Sequence, residues 1–235
     1  FVGLAGGFGT VAAGTLTGAA RALGAKVDVN AGATGVGYQG ALYGRIGATI
    51  TGVDDRTSNA IAYISPSFSG FSGLAAWGAG SEHKNPLTSA ATAATVQDPA
   101  LAVGFGTCNG AHVAVGAACT TGATTTRVDN VWSLGLNYEN GPIFVGYAYT
   151  QVDVKSGATD TSVTAKSNRV AGSYKFGTMG QVGLLWDQTD ADTHTANNKR
   201  NAYVLNGKFN VTSAGSVIAG FGKALKADGV ANSAA

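Results

Sequence analysis

The region from Val131 to Leu185 alternates between apolar side chains and small or polar ones through two consecutive hairpins, each with a four-residue turn that contains glycine. The two alternating sets on the first arm are Trp132, Leu134, Leu136 and Tyr138, and Ser133, Gly135, Asn137 and Glu139. A period of two over this length predicts β-strands with one apolar face and one polar face. The fold therefore depends on which solvent the apolar face contacts.

The composition fits a β-sheet protein of a membrane and leaves a soluble β-protein equally open. The chain has 235 residues, of which 36 are glycine and only 12% are charged, and its mean hydropathy is +0.12. A soluble domain usually carries about a quarter charged residues, yet no apolar run here approaches the ~18 residues of a membrane helix. Alternating segments of about ten residues are typical of a membrane β-barrel. The alternative is a soluble β-sandwich or β-helix.

The charge and the first residues narrow the function only slightly. A net charge of +2 is too small to indicate nucleic-acid binding, and the chain has no basic stripe or recognition-helix pattern. The sequence begins with FVGLAGG, which already has the character of a strand, and no signal peptide is visible before it. We expect that a signal peptide was removed together with more of the chain, or that the sequence is incomplete.

The chain has only two cysteines, Cys108 and Cys119, and both lie in one loop of small residues. Two nearby cysteines in such a chain predict a disulfide formed in an oxidising compartment, with two free thiols as the alternative. We expect no metal site, because only His112 lies close and no acidic residue separates the cysteines. No cofactor is expected either.

Ten alternating segments are separated by turns that are short and long in strict alternation. The predicted strands lie at 1–6, 9–16, 58–65 and 72–80, in the two hairpins that begin at Val131, and at 201–211 and 216–224. The short turns lie at 6–9, 66–70, 139–142, 177–180 and 212–215, and the long loops at 17–55, 81–129, 156–165 and 190–199. This arrangement predicts an all-β, antiparallel up-and-down transmembrane β-barrel, whereas a Greek-key sandwich would not sort its loops this way.

Aromatic residues lie beside the short turns, which is where amphipathic rings settle at a membrane interface. They are Phe8, Phe68, Phe71, Tyr138, Phe144, Tyr174, Phe176 and Phe209. The clustering predicts an aromatic girdle at one interface. Ordinary core aromatics of a soluble β-protein are the alternative.

Several segments resemble, in order, the general porins of Gram-negative bacteria, of the type found in β-proteobacteria and related to the neisserial porins. They are GGFGTVAAG (6–14), RTSNAIAYISPSFSGFSGLAAWGAG (56–80), SLGLNYENGPIFVGYAY (133–149) and RVAGSYKFG (169–177). The resemblance implies one barrel domain over 1–235 and a water-filled barrel of about sixteen strands. The ten strands of this chain would be the middle of that barrel, with both ends incomplete.

The resemblance also implies a function and partners. General porins are homotrimers in the outer membrane, surrounded by lipid and lipopolysaccharide, and they let small hydrophilic solutes and ions diffuse passively. Their third loop folds into the barrel and forms a constriction whose charges act on the solute. The matching segment here is 17–55, which has no alternation and for which no regular structure is predicted, and 81–129 would be a long extracellular loop.

The candidate pore residues are charged. The resemblance places Arg45, Asp54, Asp55 and Arg56 at the constriction, with Arg21, Lys26 and Asp28 near its entry. By alternation, Arg169, Lys175 and Lys208 face the lumen, and Arg169 is counted with the constriction. A charge on the lipid face near the middle of the membrane would cost several kcal/mol, which supports the lumen assignment.

The chain departs from the porin pattern at positions that bear on selectivity. Ala12 and Thr15 stand where the family usually has arginines after the first turn, and Ala62 and Ile64 replace an arginine and a polar residue of the Arg-Tyr-x-Ser-Pro motif. Much of the positive charge of the wall is therefore absent. We expect a weakly selective pore with at most a weak preference for anions.

Other functions find less support in the sequence. His83, His112 and His194 lie in different polar loops, and no nucleophile elbow, P-loop or zinc pair is present, so we expect no enzyme. A dinucleotide site at GLAGGFG is rejected because no helical pattern follows. A structural or adhesive β-domain, soluble and without ion conduction, is the second class. A specific sugar channel would need an aromatic ladder along the lumen, where this chain has mostly Gly, Ala, Ser and Asn.

Overall fold

The computed structural model describes residues 1–30, 42–46, 49–50, 53–79, 105–108, 111–114, 126–156, 161–192, 197–212 and 215–225. One antiparallel sheet contains β1 (Val2–Gly6), β2 (Gly9–Thr17), β5 (Arg56–Ile64), β6 (Phe71–Gly78), β9 (Thr126–Asn140), β10 (Ile143–Ser156), β11 (Thr161–Lys175), β12 (Gly180–Asp192), β13 (Asn197–Asn210) and β14 (Ser216–Ala224). The other described elements are the helix α1 (Ala19–Val27) and two short hairpins, β3 (Arg45–Ile46) with β4 (Thr49–Ile50), and β7 (Phe105–Cys108) with β8 (Ala111–Ala114).

The large sheet is a simple meander in which each strand pairs with the next of the ten, so that β1 and β14 are its edges. The ten predicted strands and their short turns are therefore confirmed. At the end opposite the short turns, β9, β10 and β11 extend further than predicted, to 15, 14 and 15 residues. These ends still alternate, because Val152 and Val154 lie on the inner face with Asp153 between them, and Val152 belongs to a buried apolar cluster with Val131 and Ala165. The predicted loops at 156–165 and 190–199 are correspondingly shorter.

Helix α1 corrects the prediction that the segment 17–55 has no regular structure. The helix has only nine residues, and so short a helix is unstable in water without packing. It buries Ala19, Ala20, Leu23 and Val27 against the sheet, which supplies that packing. The rejection of a dinucleotide site at GLAGGFG is unchanged, because β2 separates that motif from α1. No helix in the described part of the chain is long and apolar enough to cross a membrane.

The two faces of the sheet differ in chemistry and in cover. The outer face carries large apolar side chains that are 40–58% exposed, among them Trp132, Leu134, Leu136, Val145, Tyr147, Val170, Leu184, Tyr203 and Leu205. On the inner face α1 covers buried residues that include Ser133, Ala148, Thr150, Ser167, Arg169, Ala171, Asp187 and Thr189. A soluble sandwich would cover its apolar face with a second sheet, and the outer face has no such cover in the described residues.

The apolar band of the outer face runs obliquely to the strands. On β9 it extends from Trp132 to Tyr138, and on β13 from Tyr203 to Phe209. Following the register from strand to strand, both edges of the band shift by four residues between β9 and β13. Four residues span about 13 Å and four strand spacings about 19 Å, which corresponds to a strand tilt of roughly 35° if the band is level in the membrane. Membrane barrels have strands tilted by about 35–45°.

Most of the predicted aromatic girdle is present at the short-turn end of the outer face. The rings of Phe71 and Tyr138 lie 4.7 Å apart, and Phe176 lies 5.0 Å from Tyr174 and 6.2 Å from Phe209. Phe144 corrects the prediction, because it is only 4% exposed and belongs to the core cluster beneath α1. Its position in the strand puts it on the inner face, so proximity to a turn was not sufficient to assign it to the girdle.

The outer face should respond to charge as a surface in contact with lipid. Leu134 is 51% exposed and lies within the band, so Leu134→Arg should destabilise the protein by about 2–4 kcal/mol in lipid vesicles. Gln188→Arg is the matched control, because Gln188 lies on the same face beyond the band and should cost at most about 1 kcal/mol. Urea unfolding followed by tryptophan fluorescence measures both. Equal effects of the two substitutions would contradict the assignment of the band.

Candidate functional site

Helix α1 packs against the inner face of β6 and of β9 to β12. The backbone N–H of Ala19 donates to the Ser133 hydroxyl at 2.7 Å, and Ser133 in turn shares a hydrogen bond of 2.9 Å with Thr150. Gly146 makes room for the helix, because a Cβ at this position would collide with the Leu23 side chain. The small and polar residues of the inner face are therefore the surface on which α1 lies.

Arg169 lies beneath α1 and is fully buried. Its Nε donates to Asp187 Oδ2 at 2.9 Å, and its Nη1 donates to the Ala20 carbonyl oxygen at 2.7 Å and to Asp54 Oδ1 at 2.5 Å. Nη2 also lies 2.9 Å from Asp187 Oδ2. The Tyr43 ring centroid is 4.1 Å from the guanidinium carbon. One side chain of β11 thus contacts the neighbouring strand, the helix, and two residues that follow the helix in sequence, Tyr43 and Asp54.

Asp187 is the acceptor that holds this arrangement on the wall. Besides Arg169, it accepts hydrogen bonds from the hydroxyls of Ser167 and Thr189, at 2.9 and 2.8 Å, and from the backbone N–H of Gly44 at 3.2 Å. Asp187 is 1% exposed. A buried carboxylate is stable only when its lone pairs are used in this way.

Asp54 is the second carboxylate that contacts the buried Arg169 guanidinium, so that Arg169, Asp187 and Asp54 form one buried group. Burial raises the pKa of Asp54, and the Arg169 charge opposes this effect without cancelling it. With both carboxylates ionised, the three side chains carry a net charge of −1. The charge of Arg169 is therefore compensated, and its side chain has no exposed surface through which it could act on an ion in water.

A second group of charges lies at the end of α1 nearest the short turns and contacts water. Lys26 Nζ lies 3.2 Å from Glu139 Oε2, and Lys175 Nζ lies 3.7 Å from Glu139 Oε1. The three side chains are 56%, 46% and 52% exposed, in the order Lys26, Glu139, Lys175. Lys26 Nζ is also 5.6 Å from the centroid of the Phe144 ring. On the same helix, exposed Arg21 donates from Nη1 to the Asp54 carbonyl oxygen at 2.9 Å.

The structure brings some of the residues selected from the sequence together in the buried group around Arg169 and in the exposed group around Glu139. Asp54 and Arg169 meet in the buried group, which Arg21 borders, and Lys26 and Lys175 meet in the exposed one. Asp28 accepts a hydrogen bond from the Asn30 backbone at 2.9 Å, Asp55 and Arg56 are exposed, and Lys208 is half-buried on the inner face of β13. The side chain of Arg45 lies outside the described residues. The predicted pairing of Cys108 with Cys119 and most of the predicted loop 81–129 also lie outside the described residues.

Sequence reasoning placed Arg169 on the inner face and singled out Asp54, but it missed Asp187 and Tyr43. Asp187 could have been found from the hairpin register, because Arg169 and Asp187 each lie six residues from the closing pair Lys175–Gln181 and face each other. Tyr43 had no such signal, because its position depends on how the segment that contains α1 folds. The same holds for the burial of Arg169, which follows from the cover that α1 provides.

Comparisons with known proteins were consistent in family and fold. A model of the Gram-negative porin family matches residues 1–235. The anion-selective porin from Comamonas acidovorans is similar in structure, with 18% identity and a TM-score of 0.61 over 94% of this chain and 55% of that one. OmpT of Vibrio cholerae, folded in vitro, has 15% identity and a TM-score of 0.47 over 94% and 67% of the two chains. No curated protein matches the sequence.

The chain spans about half the length of the Comamonas porin, 55% of it. The predicted fold class, an all-β transmembrane barrel of antiparallel up-and-down strands, is confirmed by the family match and the Comamonas porin together with the ten-stranded meander.

The two buried carboxylates should respond differently to loss of charge. Because burial raises the pKa of Asp54, the folded protein favours its neutral form; this stabilisation is complete below the ordinary pKa of aspartate and is lost as the pH rises through the raised value. Asp54→Asn should therefore cost about 1 kcal/mol or less. Asp187→Asn should cost about 3 kcal/mol, because it disrupts the acceptor of Arg169, Ser167, Thr189 and Gly44.

Urea unfolding in lipid vesicles at about pH 5 and about pH 8 measures both effects. Asp54→Asn should remove the part of the pH dependence that Asp54 contributes, and Asp55→Asn, at an exposed neighbour, is the control for the same change in charge. An Asp54→Asn variant as unstable at the higher pH as Asp187→Asn would contradict this assignment of roles.

Proposed function

This chain belongs to the Gram-negative porin family, as its resemblance in sequence indicated, and from that premise we propose that it forms a water-filled channel. Membership of the family places the protein in the outer membrane of a Gram-negative bacterium. In the proposed function, small hydrophilic solutes and ions diffuse passively through the channel, and the protein catalyses no reaction.

The observation that carries the proposal is the position of α1. The sheet turns an apolar face outward and a polar face inward, and α1 lies on the polar face, where Arg169 binds Ala20 of the helix and Asp54. The side of α1 turned away from the wall carries Arg21, Ala22, Ala25 and Lys26, whose side chains are exposed or half-buried. A helix in this position narrows the space that the wall encloses. This supports the role of residues 17–55 as a constriction.

The charges support a weak preference for anions. Arg169, the wall arginine predicted to face the lumen, is buried and compensated by Asp54 and Asp187. Among the described side chains of the inner face, Arg21, Lys26 and Lys175 are exposed cations, and Arg200 and Lys208 of β13 are half-buried. Exposed Glu139 and Asp55 oppose them in part. A small excess of positive charge favours small anions, and salt screens it because the charges are exposed.

The resemblance to general porins extends the proposal to a homotrimer surrounded by outer-membrane lipid and lipopolysaccharide. The exposed apolar band of the outer face is suited to contact with lipid or with another copy of the chain. Chemical crosslinking in native outer membranes tests the assembly. A ladder that ends at three copies is expected, and a ladder that ends at one copy would contradict the trimer.

The constriction role of α1 predicts an effect of side-chain size. Ala25 is exposed on α1, so Ala25→Trp should reduce the single-channel conductance by roughly half and slow the entry of larger sugars into vesicles more than that of smaller ones. Ala75→Trp is the matched control, because Ala75 is exposed on the outer face of β6 and pairs with Leu134. Planar-bilayer recording and liposome swelling measure the two effects. Equal conductance of both variants would show that α1 does not limit the channel.

A further inference from the structure

We propose that Glu139 sets the strength of the anion preference, by cancelling the charge of one of the two lysines that meet at the short-turn end of the inner face. The inference rests on the proposed channel function and deepens it. It assigns a selectivity role to a carboxylate on the wall that the sequence did not single out. The ligands concerned are small inorganic and organic anions passing the site in water.

The geometry makes Glu139 the common partner of two cations from different elements. Lys26 comes from α1 and Lys175 from the end of β11, and their Nζ atoms lie 3.2 and 3.7 Å from the two oxygens of Glu139 on β9. The group carries a net charge of +1. Without the carboxylate it would carry +2.

The exposure of this group distinguishes it from the buried one. All three side chains are about half exposed, between 46% and 56%, so their field acts through water on ions within about 10 Å at 0.1 M salt. Arg169 is fully buried, and two carboxylates surround it. A change of charge at Glu139 therefore changes the electrostatic potential that acts on a permeating ion.

We expect Lys26 and Lys175 to keep their positions when the Glu139 carboxylate is removed. Lys26 lies over the Phe144 ring at 5.6 Å, a contact that does not depend on Glu139. Lys175 lies level with Lys208 across β12, because both pair with Gln181. Glu139 is thus one acid in a basic part of the inner face, and its removal should raise the local positive potential rather than disperse the lysines.

The test is the reversal potential of the full-length protein in planar bilayers under a potassium chloride gradient. Glu139→Gln should raise the permeability ratio of chloride to potassium about threefold when the mean salt concentration is about 0.1 M. The increase should largely vanish near 1 M, where the screening length is about 3 Å. Lys175→Gln should shift the ratio in the opposite direction.

Asp190→Asn is the matched control, because it changes the net charge of the protein by the same amount. Asp190 lies on the outer face of β12, and in the strand register it is opposite Lys166 of β11 and Lys199 of β13. Its substitution should leave the permeability ratio unchanged. Mobility in unheated gels shows whether each variant is folded, and Lys175→Gln keeps the inference testable if Glu139→Gln does not fold.

The outcomes separate this inference from the proposed function. If the wild-type protein does not conduct, both fail. If it conducts and Glu139→Gln behaves like Asp190→Asn, only the role of Glu139 is overturned. If Glu139→Gln changes the conductance in concentrated salt but not the permeability ratio, Glu139 merely fixes α1, and the inference is overturned as well.

Discussion

The contact between the buried Arg169 guanidinium and its two carboxylates determines how the segment between β2 and β5 lies. Burying an arginine costs several kcal/mol unless its charge and its donors find partners. Here those partners come from three places: Asp187 on the neighbouring strand, the Ala20 carbonyl on α1, and Asp54 just before β5. If α1 left the wall, Arg169 would lose the Ala20 carbonyl and the helix that covers it. The position of α1 is therefore coupled to the burial of one charge.

The same contact divides the charges of the inner face into two kinds. Arg169, Asp187 and Asp54 are buried in the contact between α1 and the wall, where they stabilise the position of the helix. Lys26, Glu139 and Lys175 are exposed at the end of that contact, where they can act on ions. In the proposed channel, the buried group fixes the position of the constriction, and the exposed group sets the electric field that a solute meets beside it. In this account a residue contributes to selectivity according to its exposure as well as its charge.

The sequence predicted the sheet well because strand faces are a local property. Alternation alone shows that Leu134 points to the opposite face from Gly135, and Val170 to the opposite face from Arg169. No knowledge of a distant residue is needed. Helix α1 was missed because it has only nine residues, and so short a helix owes its stability to packing on the sheet rather than to its own sequence. The burial of Arg169 was missed for a related reason, whereas the inward position of Phe144 follows from alternation, and its nearness to a turn was a misleading signal. Alternation assigns a residue of the wall to a face, but whether an inner-face residue is exposed to water or buried depends on α1.

Modification of introduced cysteines in single channels tests the central claim most directly, namely that α1 lies in the water-filled lumen on the inner face. A charged, water-soluble thiol reagent should modify Ala25→Cys and reduce the conductance in discrete steps. The same reagent should leave Leu134→Cys on the outer face unmodified, and the wild-type protein corrects for Cys108 and Cys119. If Ala25→Cys does not react, or reacts without any change in conductance, α1 does not lie in the conducting path and the account is wrong.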